Sequence, residues 1–177
     1  MDFSKVKTFP IRRRRHKVVM DNLGAVPGGG GFADFYDSLP RILAADDLRS
    51  VAQSVAKARC GNREVILAMG AHPIKCGLSP VIIDCMERGI ITAVAMNGAG
   101  SIHDFEMAYL GETSEDVADT LRDGSFGMVE ETGRILNRAM AEGVRENLGA
   151  GEAVGRYIMK EGYPRAALSI QAAGARL

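Results

Sequence analysis

A chain of 177 residues with 46% apolar and 25% charged content is long enough to bury a core and ordinary in composition for a globular domain. Its 22 basic residues balance its 22 acidic ones, so net charge demands neither nucleic acid nor an anionic membrane as a partner. Tryptophan is missing and aromatics make up only 6%, which removes the platform that base stacking needs.

Residues 1–45 differ from the rest and are expected to form an arm and loop leading into a domain at 46–177. Their basic run, "IRRRRHK" at 11–17, suits a solvated edge, a grip on an anionic ligand, or a nucleic-acid contact through Arg12 to Arg15. The "PGGGG" at 27–31 follows no apolar strand and lacks the Lys-Ser/Thr of a phosphate loop, so it reads as a loop or linker. From Ala45 the pattern becomes regular. Asp46 is expected to cap a helix carrying Leu48, Val51 and Val55 at helical spacing. "EVILAM" at 64–69 is a short run of strand type, and "GAHPIKCG" at 70–77 is a loop after it. Ser79-Pro80 opens a helix that ends at Gly89, where a left-handed backbone is easily accommodated. "IITAVAM" at 90–96 is a second strand.

Strand, helix, strand at this spacing is a βαβ unit with parallel strands. Neither strand alternates polar with apolar residues, which predicts an α/β fold with helices on both faces of the sheet. Beyond Gly111 the pattern is helical. Thr113 and Asp116 suit a capping box, and residues 128–149 form an amphipathic stretch with Val129, Thr132, Leu136 and Met140 on one face. Two shorter helices follow at 151–162 and 164–177. Two parallel strands alone make a poor sheet, so "KTFPI" or "HKVVM" is a candidate third strand, and the alternation reads as though further strands follow in a longer parent protein.

In open parallel sheets ligands bind beyond the carboxyl ends of the strands, where the loops "GAHPIKCG" and "NGAGSIHD" lie. Gly98 and Gly100 would let the backbone turn sharply, and a helix starting near Ile102 would aim its free N–H groups at an anion. His72, Lys75 and Cys76 gather on the same edge as His103 and Asp104. A local alternative is that Ser101 and Asp104 make a capping box while Phe105, Tyr109 and Leu110 are core. A metal held by His72, Cys76, His103 and Asp104 is disfavoured, because no two ligands share the spacing of one helix face. Cys60, Cys76 and Cys85 have no paired spacing, residues 1–10 hold no secretory core, and no apolar run reaches membrane-span length. A cytoplasmic protein with free thiols is the expectation.

"G-L-S-P-x-I-I-D-x-x-x-R-G" at 77–89, the apolar strand, and "N-G-A-G-S-I-H-D-F-E" at 97–106 together resemble the NAD-binding core of the deoxyhypusine synthase family, most closely its divergent bacterial synthase-like members. The resemblance runs without gaps from His72 to Leu110. It implies a Rossmann-like parallel sheet with a helix-rich second half, NAD as cofactor, and a tetramer or other homo-oligomer with sites between subunits. Asn97, Gly98, Ala99 and Gly100 would contact NAD together with His72 and Lys75. His103 stands where the synthases hold a carboxylate facing the polyamine, and would serve as acid or base with Asp104 orienting the loop or a substrate amine. The lysine-bearing segment of the synthases has no match in residues 112–177, where Lys160 is the sole lysine. The implied activity is therefore that of a synthase-like enzyme on a small amine or related metabolite, rather than deoxyhypusine synthesis. A non-catalytic module binding a nucleotide or metabolite is the alternative.

Overall fold

The computed structural model describes residues 4–177. They fall into two compact units, the first ending at Lys57 and the second running Ala58–Leu177.

Among the described residues of the first unit none is fully buried. Single-turn 3₁₀ helices at Ile11–Arg13 and Met20–Asn22 precede helix α1 (Phe32–Ser38), and helix α2 (Leu43–Cys60) starts in this unit. Hydrogen bonds to main-chain carbonyls hold the unit in place of a core. The Arg49 guanidinium donates to Pro40 O, Tyr36 O and Leu39 O, each at 2.8 Å, and lies 5.3 Å from the centre of the Tyr36 ring. It thereby tethers carbonyls at and just beyond the end of α1, of which Tyr36 O also accepts from Leu39 N, and brings positive charge to the negative end of its dipole. Asp46 lies inside the first turn of α2 and does not precede the helix, which begins three residues earlier at Leu43 in a left-handed conformation (φ 52°). Arg12 to Arg15 are exposed.

The second unit contains a two-stranded parallel sheet among its described residues, β1 (Ile66–Met69) beside β2 (Ala93–Met96), with Ile66 opposite Ala93 and Met69 opposite Met96. The two apolar runs therefore form strands and are parallel, as their spacing requires. Helix α3 (His72–Lys75) replaces the expected loop after β1, and α4 (Ser79–Glu87) ends just before Gly89 (φ 65°). Ser79 does not cap α4: its buried hydroxyl has no partner and Leu78 stands at the cap position.

Only one face of the sheet is covered. Leu67, Met69, Val94 and Met96 pack on Ile74, Ile82, Ile83, Ile170 and Ala173, whereas Ile66 on the other face is 65% exposed and Ala68, Ala93 and Ala95 are exposed with it. The expectation of helices on both faces is thus corrected. Alanine makes the open face apolar without making it bulky, so the lack of polar alternation came from small residues and not from double burial.

The remainder is helical: α5 (Gly98–Tyr109), α6 (Val117–Thr120), α7 (Glu130–Arg145), α8 (Ala150–Glu161) and α9 (Ile170–Arg176). A second core cluster joins Phe105 and Ala108 of α5, Leu136 and Ala139 of α7, Tyr157 and Ile158 of α8, and Ala172 of α9. The buried stripe of α7 is Thr132, Ile135, Leu136, Ala139 and Gly143, while Val129 and Met140, expected on that face, are exposed. Asp116 caps α6 by accepting from Ala118 N at 2.9 Å, without a capping-box partner in Thr113. Phe105 is core, but Tyr109 and Leu110 are exposed.

Glycines let α8 nest closely between its neighbours. A Cβ at Gly155 would collide with the main-chain carbonyl of Gln171 and lie 2.9 Å from Ala175 Cβ. Gly→Ala in a helix interior ordinarily stabilises by up to about 1 kcal/mol. Here the added methyl meets backbone, so Gly155→Ala is expected to destabilise by about 1–3 kcal/mol in denaturant unfolding. A gain in stability would mean that α9 can shift to admit it.

Candidate functional site

Helix α5 begins directly behind β2, at Gly98 and not near Ile102. Asn97 caps it, accepting from Gly100 N at 3.0 Å through Oδ1. This displaces the proposed Ser101–Asp104 capping box, because Ser101 and Asp104 already lie inside the helix. Neither Gly98 nor Gly100 takes a positive φ, so the expected sharp glycine turn is absent. Their reasons differ. Gly100 is buried against Met96, whose Cβ would stand 3.0 Å from an added Cβ, so this glycine brings the helix close to the strand. A side chain at Gly98 would point into open space, with no atom within 4 Å. The N–H groups of Gly98 and Ala99, in the first turn, have no intrahelical acceptor and end in an exposed stretch.

A groove of about 980 Å³ runs along the outer edge of β2 to this helix start. The chain from Ile91 to Gly98 lines it, facing Ile170, Gln171, Gly174 and Ala175 of α9. Its volume falls in the range of small-molecule sites. Of the residues expected to bind the cofactor or act in catalysis, Asn97 and Gly98 line the groove. His72, Lys75, Ala99, Gly100, His103 and Asp104 do not. His72 and Lys75 are exposed on α3, which packs against α5. Ser101 Oγ donates to Gln171 Oε1 at 2.9 Å and both residues line the groove, a pairing 70 positions apart in sequence that local patterns do not reveal.

Asp104 is fully buried and faces inward. Its carboxylate accepts from Ser169 Oγ at 2.6 Å, Ile170 N at 2.7 Å and Gln171 N at 3.0 Å. Ser169 Oγ in turn accepts from Ala172 N at 2.9 Å as the cap of α9. Expected to act in catalysis or to orient the loop or a substrate amine, Asp104 is fully buried and anchors the start of α9. Burial pushes its pKa up, against the opposing pull of the Ser169 hydroxyl and the Gln171 and Ile170 N–H groups.

His103 is about 200° around α5 from Ser101, on a face turned away from the groove. Its Nδ1 lies 2.5 Å from Thr113 Oγ1, which donates to Glu106 Oε2 at 2.5 Å; Thr132 Oγ1 donates to Glu106 Oε1 at 3.0 Å. The imidazole is 18% exposed. It stands in the second turn of α5, beyond the first-turn reach of the helix-end field. Sequence patterns assign Thr113 to half of a capping box and Thr132 to a helix face, and link neither these two nor Glu106 to His103; Gly111 (φ 85°), which returns the chain toward α5, is the local sign of this arrangement. Among the described residues no group of His, Cys, Asp and Glu is placed to hold a metal, and Cys60, Cys76 and Cys85 are free. No helix among them is long and apolar enough to cross a membrane.

An acid whose pKa is raised on folding binds its proton more tightly in the native state. Its contribution to stability is complete below the unfolded value of about 3.9 and is lost as pH rises through the folded pKa. Asp104→Asn should destabilise by about 1–3 kcal/mol, because the amide puts a donor against the Ser169–Gln171 donors. The wild-type lead over this variant should narrow as pH rises through that window. A lead that widens would mean that the three donors outweigh burial.

Neither the family models nor the curated proteins compared with this chain match it.

Proposed function

We propose that the chain binds NAD, through a Rossmann-like site at the start of α5, and acts on a small amine in the manner of deoxyhypusine-synthase-like enzymes. The observation that carries this reading is that Gly98, Ala99 and Gly100 form the first turn of a 12-residue helix immediately behind a parallel strand. The N–H groups of Gly98 and Ala99 are free to meet a pyrophosphate, and the helix dipole favours the negative charge. The residues present fit such a group: a side chain at Gly98 would occupy space that a phosphate can fill. Asn97 would hold the helix start in shape, and Lys75 and His72, exposed on the adjoining α3, would contribute charge and hydrogen bonding at the same sheet edge. When bound, NAD would supply a hydride acceptor for the carbon beside an amine nitrogen. His103 is the acid–base candidate that remains once Asp104 is assigned to the fold.

The second reading, a module that binds a nucleotide without turnover, is favoured by the burial of Asp104 and by the position of His103 away from the groove. Spermidine or another amine reducing the bound NAD would exclude it.

NAD at about a hundredfold over its dissociation constant should stabilise the protein by roughly 2.7 kcal/mol in a thermal-shift titration, with ATP and spermidine as comparisons. Gly98→Val should leave the unliganded melting temperature nearly unchanged and remove the NAD response. An equal NAD response in that variant would move the site elsewhere, and no response in the wild type would overturn the reading.

A further inference from the structure

His103 and Glu106 lie one turn apart on α5, and Gly111 turns the chain so that Thr113 reaches both. A threonine hydroxyl has one proton to give. Glu106, as a carboxylate, only accepts, and Thr132 already donates to its other oxygen at 3.0 Å. The Thr113 proton therefore goes to Glu106 Oε2, and the contact between Thr113 Oγ1 and His103 Nδ1 is a hydrogen bond only if Nδ1 carries the proton. The direct distance from Nδ1 to Glu106 Oε2 is 3.7 Å, so the hydroxyl is the link between ring and carboxylate. Nε2 has no hydrogen-bond partner among the described residues.

We infer that Thr113 and Glu106 are positioning residues that lock His103 as its Nδ1–H tautomer, so that Nε2 holds the lone pair and is the atom that takes a proton from an amine substrate. In that step an N–H bond of the substrate's ammonium group breaks, its electron pair stays on the now neutral amine nitrogen, and an Nε2–H bond forms. The imidazolium produced keeps its Nδ1–H donated to Thr113, and its positive charge lies beside the Glu106 carboxylate. The chain of donors thus runs Nδ1–H to hydroxyl to carboxylate, and it orients the ring without Glu106 touching the substrate. Because this deepens the reading of His103 given above, it is tested on the full chain without NAD or amine. Failure of nucleotide binding would leave the tautomer result standing, and the wrong tautomer would leave nucleotide binding standing.

The experiment is long-range ¹H–¹⁵N correlation of the imidazoles at roughly pH 8, above the ordinary histidine range. The chain has 3 histidines, so loss of one set of signals in His103→Gln assigns the ring. The wild type should show His103 as Nδ1–H in about tenfold excess or more, as a donor chain ending on a charged group confers. Thr113→Ser should retain that excess, and Thr113→Val should lose it. Glu106→Gln should reverse the preference: Gln accepts from Thr132 through its oxygen and donates from its amide to Thr113, whose proton then turns to Nδ1 and leaves the ring proton on Nε2. A wild-type ring protonated mainly at Nε2, or an unchanged tautomer in Glu106→Gln, would overturn the inference. Should Thr113→Val fail to fold, the wild type and the serine and glutamine variants decide it.

Discussion

The second unit depends on one carboxylate. Asp104, on the buried face of α5, gathers the Ser169 hydroxyl and the N–H groups of Ile170 and Gln171, and thereby fixes the start of α9. That helix is only seven residues long and would not hold its shape unaided. It nevertheless supplies Ile170 and Ala173 to the core beneath the sheet and Ala172 to the core among α5, α7 and α8. A buried negative charge is costly unless paired or hydrogen-bonded, and here the positive end of a helix dipole and three donors offset part of the cost, while burial still pushes the pKa up. The two apolar clusters are joined through a polar contact.

Helix α5 accordingly divides its circumference among three tasks. Its first turn offers free N–H groups behind β2, its Asp104 face secures α9, and its His103–Glu106 face carries a hydrogen-bonded network with Thr113 and Thr132. The exposed helix start and the His103–Glu106 network therefore occupy different surfaces of one rod, so a change at one leaves the other's hydrogen bonds in place.

Much of the architecture was legible in the residues. The apolar runs at 64–69 and 90–96, bounded by turn formers, hold the two strands of 4 residues each, and Gly89 and Gly162, both with positive φ, end helices as glycine after a helical pattern should. The start of α5 was misplaced for a physical reason. Gly-Ala-Gly is a poor helix former, but the fit of Gly100 on Met96 overrides propensity, and Asn97 outcompetes Ser101 as the cap. The role of Asp104 was hidden because its partners begin 65 residues downstream. Local spacing also brought His103 and Asp104 together as chemistry, although adjacent helical residues point about 100° apart. Thr113 was read through Asp116, its neighbour in sequence, and found its partners on the preceding helix.

The outer edge of β2 is Ala93-Val94-Ala95-Met96, without the lysine, proline or bulge that commonly deters edge-to-edge pairing of sheets. The edge lies along the groove lined by α4, α8 and α9, and Ala93 and Ala95 are exposed beside it. Among the described residues β2 pairs with β1 alone, so its other edge offers main-chain groups at the roughly 4.8 Å spacing that a further strand would use. Neither charge nor a kink stands against such an addition.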